Sequence, residues 1–373
     1  MSFHLADVER YTWRETSVRA ELEQVTQQLL PWLEQITPFL DTLAADPSWD
    51  WKSQVHTLAQ ILITNFKFPK NCQFPPDKII NIALALHLLS TRNIIRRNGI
   101  PYTIHPIVVA WLILTYAHDI PEEQIIKTLA DALTHDVLEE DVLRFLTAIR
   151  NGQHEENVQP AFLPVNQDVS ITNNLQLIQS TLNQVYQHHC FGCAALDLME
   201  PYLEEIGLSK PEKIALYAYW LNYRARFQVG YRNVKIADNI HNLSDLKYII
   251  DNTEMDTAAK KEKLVGIFAK RAFVVSTLAY DDHGQLNLDV SQNLLDMFWR
   301  CWHEELRTMQ LHTGFKLPFS KKDMPLISTR MVTLAACYER NKKQFHGLCT
   351  QYAKTMKLPT QINTNLAKID ISL

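Results

Sequence analysis

The chain has 373 residues and a formal net charge of −4, so it can bury a large core and has no strongly basic character that would indicate nucleic-acid binding. Its 9 glycines fall well below the average of about 7%, which disfavours the many tight turns of β-sandwiches and barrels. Composition therefore favours an all-α protein without a nucleic-acid partner.

The N-terminal part of the chain is predicted to be helical. Apolar residues recur at spacings of three and four over residues 15–45, which predicts a helix punctuated by Pro38 and Pro47. A second helix is expected over residues 55–65. The proline-containing turn at 68–76 then marks the entry to a central core.

The core is expected to contain several helices and one long loop. The segment 151–172 is polar and contains Gly152, Pro160 and Pro164, so it is the best loop candidate and could cover a site or carry a partner surface. Ser209 with Glu212 predicts a helix start. The other predicted helices are 78–96, 106–117, 122–135, 140–150, 172–188, 194–206, 210–228, 232–250, 256–279, 288–312 and 325–356, with a turn at 281–284 and an irregular tail at 358–373.

This pattern predicts three parts in the chain. Residues 1–75 form an N-terminal helical extension, residues 76–280 form the core with an insertion near 142–230, and residues 281–373 form a C-terminal helical extension. The extensions contain no recognisable motif, so packing around the core is their expected role.

The N-terminus, the apolar runs and the cysteines favour a soluble, cytoplasmic protein without a membrane partner. The first ten residues lack a secretory hydrophobic region. The longest clean apolar run, from Ile107 to Leu114, is too short to cross a bilayer. The six cysteines are scattered except for Cys190 and Cys193, as is typical of reduced thiols.

Acidic residues and one histidine are grouped at the end of a predicted helix. His135 and Asp136 are adjacent there, and Glu139 and Glu140 follow Asp136 by three and four residues, so the three carboxylates share roughly one helix face. Like charges this close are costly unless a cation neutralises them. The grouping therefore indicates a cation site.

Two further segments can complete that site. His105 precedes Pro106, a favoured first helical residue, so we expect His105 where a loop enters a helix. Asp238 and Asn242 are four residues apart and share a helix face. The expected ligands are His105, His135, Asp136 and Asp238, a nitrogen and oxygen set that suits Mn²⁺, Fe²⁺ or Zn²⁺ and argues against a thiolate-type structural zinc.

Taken together and in order, these segments resemble a known family. They read Arg96-Arg-Asn-Gly-Ile-Pro-Tyr-Thr-Ile-His-Pro106, then His135-Asp-Val-Leu-Glu-Glu140, then Lys235-Ile-Ala-Asp-Asn-Ile-His-Asn242. The set is similar to the hydrolase domain of the RelA/SpoT-homologue family, an HD-superfamily fold that removes pyrophosphate from guanosine alarmones. The resemblance covers residues 79–141 and 231–250, which is less than a quarter of the chain.

The resemblance implies a fold, a cofactor and a role for each matched residue. It implies an all-α HD-superfamily helical bundle with additional N- and C-terminal helices, a divalent cation such as Mn²⁺, and a small guanine nucleotide, (p)ppGpp, as substrate. The implied roles are metal binding for His105, His135, Asp136 and Asp238, water activation for Glu139 and Glu140, and substrate binding for Arg96, Arg97, Asn98, Tyr102, Lys235 and Asn242.

The chain also departs from the family pattern. Glu140 stands where Asp is usual, Asn98 replaces a usual Ser, and the separation between Asp136 and Asp238 is longer than is typical. These departures bear on the substrate more than on the metal. Two alternatives stay open: hydrolysis of another nucleotide, such as the 2′-phosphate of NADPH or a nucleotide monophosphate, and a non-catalytic nucleotide-sensing protein.

A separate cluster, His188-His189-Cys190-Phe-Gly-Cys193, invites a zinc interpretation. It is isolated, because no second pair lies at the spacing that a zinc module uses. Buried soft side chains in a helix turn are the favoured interpretation.

Overall fold

The computed structural model confirms the all-α prediction. It describes residues 17–46, 48–154, 157–158, 160–186, 207–246, 249, 251, 254–311, 324–356 and 358. Within these ranges no β-strand forms, and extended pairing is limited to the isolated bridges between Ile95 and Pro101 and between Tyr280 and Leu286. The predicted helix at 194–206, the His188–Cys193 cluster and the tail after residue 358 lie outside the described residues.

The predicted helices within the described residues are present with shifted ends. A π-helix spans Leu138–Leu143 and continues directly into α6. The α-helices are α1 (Val18–Ala45), α2 (Trp51–Asn65), α3 (Lys78–Thr91), α4 (Ile104–Tyr116), α5 (Glu122–Thr134), α6 (Arg144–Arg150), α7 (Ile171–Tyr186), α8 (Lys210–Ala225), α9 (Tyr231–Ser244), α10 (Thr257–Ala279), α11 (Gln292–Leu311) and α12 (Met324–Thr355). The helix start predicted at Ser209 is confirmed, because the Glu212 carboxylate accepts the Ser209 backbone N–H at 2.9 Å.

The first helix runs through a proline that was expected to interrupt it. Pro38 lies inside α1, although a proline in a helix interior removes one backbone hydrogen bond at a cost of about 3 kcal/mol. The buried stripe of the helix continues on both sides, with Ile36 and Leu40 each at most 1% exposed. Burial of this stripe outweighs the lost bond, so the sequence-based break was wrong.

The segment between α3 and α4, residues 92–103, is called the site loop. The helix predicted to reach residue 96 ends at Thr91, because the Arg96 N–H donates to the Ile100 carbonyl at 2.9 Å and closes a turn. At the other end, the His105 N–H donates to the Tyr102 carbonyl at 2.8 Å. This turn starts α4 earlier than predicted, so His105 lies in its first turn and not before it.

The acidic segment forms a π-helix where an ordinary helix start was predicted. The Arg144 N–H donates to the Glu139 carbonyl, five residues earlier, as in a π-helix. Such segments are rare and are frequent at functional sites. Asp141, on the same segment, accepts the backbone N–H groups of Phe162 and Leu163 at 2.7 Å each, which fastens the predicted 151–172 loop to the acidic helix.

Helices α4 and α9 form the centre of the molecule. From Ile104 to Ile113 every residue of α4 is buried, and α9 packs against α4, α5, α8, α10 and α11. Gly230 directly precedes helix α9; its φ of 78° requires glycine, and its missing Cβ lets Thr128 of α5 approach closely. This close approach holds α5 against the start of α9.

Helices from all three predicted parts contribute to one hydrophobic cluster. Helix α1 packs against α4 and α11, and α12 packs against α8 and α10. Among the described residues, none of the helices combines the length and the apolar character needed to span a bilayer. The four described cysteines, Cys72, Cys301, Cys337 and Cys349, are free thiols.

Candidate metal centre

Three helices each contribute to one buried polar cluster. His105 comes from the first turn of α4, His135 and Asp136 follow the last residue of α5, and Asp238 comes from the middle of α9. These four side chains are only 2% to 8% exposed although all are polar or charged. Buried ionisable groups need partners or a metal ion, and the cluster joins the four residues predicted as ligands.

The separations within the cluster fit one shared ion. His105 Nε2 lies 3.4 Å from Asp136 Oδ2 and 3.2 Å from Asp238 Oδ1. His135 Nε2 lies 3.0 Å and 3.8 Å from the same two oxygens. Two atoms bound to one ion at about 2.0–2.2 Å can be no more than about 4.4 Å apart. All four separations meet this condition, and the ligand atoms of His105, His135 and Asp136 also lie within 4.8 Å of one another.

The orientation of His135 supports the same interpretation. Its Nδ1 lies 2.7 Å from the Ala132 carbonyl, which can only accept, so Nδ1 carries a hydrogen. In the neutral ring the lone pair is then on Nε2, and this atom is buried without a hydrogen-bond partner. Asp136 Oδ2 is 3.0 Å away but outside hydrogen-bond geometry. A buried nitrogen lone pair without a partner lowers the stability of the folded protein, whereas a bound cation would accept this lone pair.

The electrostatics favour positive charge at this position. Burial by itself would raise the pKa of Asp136, but His135 and His105 hold it well below its usual range. The same holds for Asp238, where the Lys235 ammonium is the main opposing charge. Burial by itself would lower the pKa of His135, yet Asp136 raises it to about 9. Without a cation the cluster therefore keeps a proton on His135, which a metal must displace.

Three residues predicted to bind substrate contact the two aspartates. The Tyr102 hydroxyl donates to Asp136 Oδ2 at 2.6 Å. The Lys235 ammonium lies 3.5 Å from Asp238 Oδ2, and the Asn242 amide donates to Asp238 Oδ1. Partners of this kind orient metal-binding side chains and tune their basicity.

The site loop is closed onto the end of α9. The Arg96 guanidinium donates to Asn242 Oδ1 at 2.9 Å and pairs with Asp245 Oδ2 at 3.1 Å. The Asn98 amide also donates to Asp245. Arg97, also predicted to bind substrate, is exposed. Arg96 and Asn98 are thus held at the end of α9, with Arg96 engaged by an aspartate.

The acidic pair lies beside the cluster on the π-helix. Glu139 and Glu140 are half-buried. Burial raises the pKa of the Tyr102 phenol well above its usual range, and the charges of Asp136, Glu140 and Glu139 raise it further, which places both glutamates around that ring. Burial, then the charge of Asp136, raises the pKa of Glu140 to about 7. A carboxylate with a pKa near neutrality is suited to general-base chemistry.

Sequence reasoning missed three residues near the site: His87, His241 and Asp245. His241 contacts His105 through their Nδ1 atoms at 2.7 Å. Its position three residues after Asp238, on nearly the same helix face, was a usable signal. His87 reaches the Thr103 carbonyl at 2.7 Å, and burial lowers its pKa to about 4, so it is a neutral support of the site loop. No sequence signal separates His87 or Asp245 from ordinary helix residues.

Comparison with models of known protein families, with curated proteins and with solved structures found no match for this chain. The interpretation of the cluster therefore depends on its own geometry and on the ordered motifs. The motifs predict four ligands, and the structure brings the side chains of these four residues together.

Proposed function

We propose that this protein is a metal-dependent phosphohydrolase with a single cation held by His105, His135, Asp136 and Asp238. The observation that carries the proposal is that both buried histidine nitrogens lie within 3.8 Å of both aspartate oxygens, where helices α4, α5 and α9 meet. Such a mixed set suits Mn²⁺, Fe²⁺ or Zn²⁺.

In the proposed reaction water attacks a phosphorus atom and the bond to the leaving oxygen breaks. A bound cation would lower the pKa of water from about 15.7 toward neutrality. Glu140 is the favoured acceptor of the water proton because its pKa of about 7 matches that task, and Glu139 is the neighbouring candidate. Tyr102 and Lys235 keep Asp136 and Asp238 in place.

The favoured substrate is (p)ppGpp, with water releasing pyrophosphate from the 3′ position and leaving a 3′-hydroxyl. Support comes from the resemblance of the motifs and from the contacts of Arg96 with Asn242 and of Asn98 with Asp245, at the end of α9. Because Arg96 pairs with Asp245, a phosphate would have to compete with that carboxylate. We expect this competition to affect which nucleotide is accepted. A cytoplasmic location would suit such a substrate.

The test is a panel of nucleotides incubated with the Mn²⁺-loaded protein. It should include ppGpp, pppGpp, NADPH and nucleotide monophosphates, with orthophosphate and pyrophosphate measured separately. Asp136→Ala is the matched control for metal-dependent turnover. Pyrophosphate release from ppGpp that is absent in the control would support the proposal.

The other outcomes separate the alternatives. Orthophosphate release from NADPH or a monophosphate would keep the hydrolase and replace the substrate. Nucleotide binding without turnover by metal-loaded protein would overturn the hydrolase and favour a sensing role.

A further inference from the structure

The imidazole of His241 lies against a proposed metal ligand and has no part in the reaction described above. It belongs to α9, one turn after Asp238, and is 8% exposed. Its ring is nearly parallel to that of His105, with an angle of 21° and centroids 4.8 Å apart. The two Nδ1 atoms are 2.7 Å apart, which is a hydrogen-bond distance, so one of them carries a hydrogen and the other accepts it.

The neighbouring donor decides which nitrogen accepts. Arg96 Nη1 lies 3.5 Å from the same Nδ1 of His241, and a guanidinium can only donate. A hydrogen on His241 Nδ1 would face this donor, so His241 Nδ1 carries none, and its single lone pair accepts the hydrogen of His105 Nδ1. Arg96 is itself held by Asp245 at 3.1 Å and by Asn242 at 2.9 Å. These two contacts keep the guanidinium beside His241 Nδ1, so this nitrogen remains an acceptor.

This assignment determines what His105 presents to the cluster. With the hydrogen on Nδ1, the neutral ring has its lone pair on Nε2, the atom 3.4 Å from Asp136 Oδ2 and 3.2 Å from Asp238 Oδ1. His135 reaches the same state through the Ala132 carbonyl. Each imidazole is thus oriented through its Nδ1: that of His135 by a backbone oxygen, and that of His105 by a second imidazole.

We propose that His241 is a positioning residue that fixes the tautomer and orientation of His105 and thereby sets the affinity of the cation site. The inference rests on the proposed metal centre but not on the identity of any substrate. Ligand histidines usually donate to a carboxylate, a carbonyl or water, and loss of such a partner lowers metal affinity about 10- to 100-fold. Because His241 acts here only as a neutral acceptor, another side chain that places an acceptor atom at the same position should be able to replace it.

Two substitutions of His241 test this in the full-length protein. His241→Leu fills similar space without an acceptor, whereas His241→Asn can place an amide oxygen where Nδ1 lies. Binding of Co²⁺ and Mn²⁺ is measured by titration calorimetry without nucleotide, and the visible absorption of the Co²⁺ form reports ligand geometry. We expect affinity about 10- to 100-fold weaker in His241→Leu and recovery of most of that loss in His241→Asn.

Helical circular dichroism and the thermal midpoint of the metal-free proteins serve as folding controls. If His241→Leu does not fold, His241→Met takes its place, because its flexible side chain adapts to the same space. Wild-type affinity and an unchanged Co²⁺ spectrum in the folded apolar variant would overturn the positioning role, as would an asparagine variant as weak as the apolar one.

The same measurements distinguish this inference from the proposed function. If metal affinity depends on His241 but no nucleotide is hydrolysed, the positioning role is supported and the proposed hydrolase function is overturned. If the protein binds metal and hydrolyses a nucleotide, but neither depends on His241, the hydrolase function is supported and the positioning role is overturned. A wild-type protein that binds neither metal overturns both.

Discussion

Two of the places where this molecule buries carboxylates treat the charge in opposite ways. In the candidate metal centre, His105, His135 and Lys235 surround Asp136 and Asp238 and hold the pKa of both well below the usual range despite burial. At the interface of α1 and α11, Glu305 is fully buried, and its pKa is raised to about 7 by burial, against which Arg19 acts only partly.

The contacts explain the difference. Neither oxygen of Glu305 has a hydrogen-bond partner, and the nearest ion-pair atom, Arg19 Nη1, is 3.6 Å away. Asp136 and Asp238 instead accept from Tyr102 and Asn242 and face two imidazoles. Burial alone therefore does not decide the charge of a carboxylate, and the cationic side chains around Asp136 and Asp238 keep these two ionised.

The largest expected effect is loss of the cation on removing a cluster carboxylate. Asp136→Ala and Asp238→Ala should each abolish measurable metal binding and turnover together, a loss greater than the about 10- to 100-fold typical of residues behind the ligands. Elemental analysis after dialysis and calorimetric titration measure the metal. Glu305→Gln, which removes the buried carboxylate between α1 and α11, should retain full metal content. An equal loss of metal in all three variants would show that the cluster carboxylates and Glu305 do not differ in metal binding.

The next largest effect concerns the acidic pair beside the cluster. Glu139→Gln and Glu140→Gln should retain the metal, because neither supplies a ligand, while the turnover number falls by roughly 10²–10⁴-fold for the residue that acts as base. We expect the larger fall for Glu140, whose pKa of about 7 suits proton transfer. Turnover on the best substrate and metal content are measured on the same samples. Near-wild-type turnover in both variants would show that neither Glu139 nor Glu140 activates the water.

Helix packing beneath the cluster gives a third prediction. Gly230→Ala should lower the free energy of unfolding by about 2–4 kcal/mol, because an alanine is strained at a φ of 78° and its Cβ would meet Thr128 Cβ at 2.8 Å. Urea denaturation measures the change. Gly152→Ala is the matched control, since its φ of 79° carries the same strain with open space around the Cβ.

The metal content of the same variant sharpens the comparison. Separation of α5 from α9 in Gly230→Ala should weaken metal binding, since His135 and Asp136 follow α5 and Asp238 lies on α9. Gly152→Ala should bind metal normally. Equal stabilities for the two variants would show that the close approach to Thr128 contributes nothing.

The smallest expected effect is on pH dependence at the α1–α11 interface. Because the pKa of Glu305 rises from 4.5 to about 7 on folding, the folded protein binds more protons between these values than the unfolded chain. Stability contributed by this group is therefore full below about pH 4.5 and decreases as the pH rises through about 7, by at most about 3 kcal/mol.

Glu305→Gln should flatten that decrease, and denaturation midpoints at pH 5, 6, 7 and 8 measure it. Glu23→Gln, which replaces an exposed carboxylate facing the same arginine, should leave the slope as in wild type. A wild-type protein whose stability rises steadily over this range would contradict a raised pKa at Glu305.

The amino-acid sequence by itself determined the all-α class, most helix positions and the four residues of the cluster. The hydrophobic periodicity of each helix is a local property, and the residue types and order of motifs such as His135-Asp136 are visible in the sequence. Helix ends were less predictable. Pro38 was overridden by the buried stripe of α1, and a turn in the site loop ended α3 early.

Only the tertiary structure decided how the parts of the site are used. The π-helix at 138–143 turns Asp141 toward Phe162 and Leu163, and the end of α9 engages Arg96 with Asp245 and brings His241 behind His105. These contacts join residues up to 149 positions apart and depend on the close approach of α4, α5 and α9, which neither propensity nor spacing within one helix encodes.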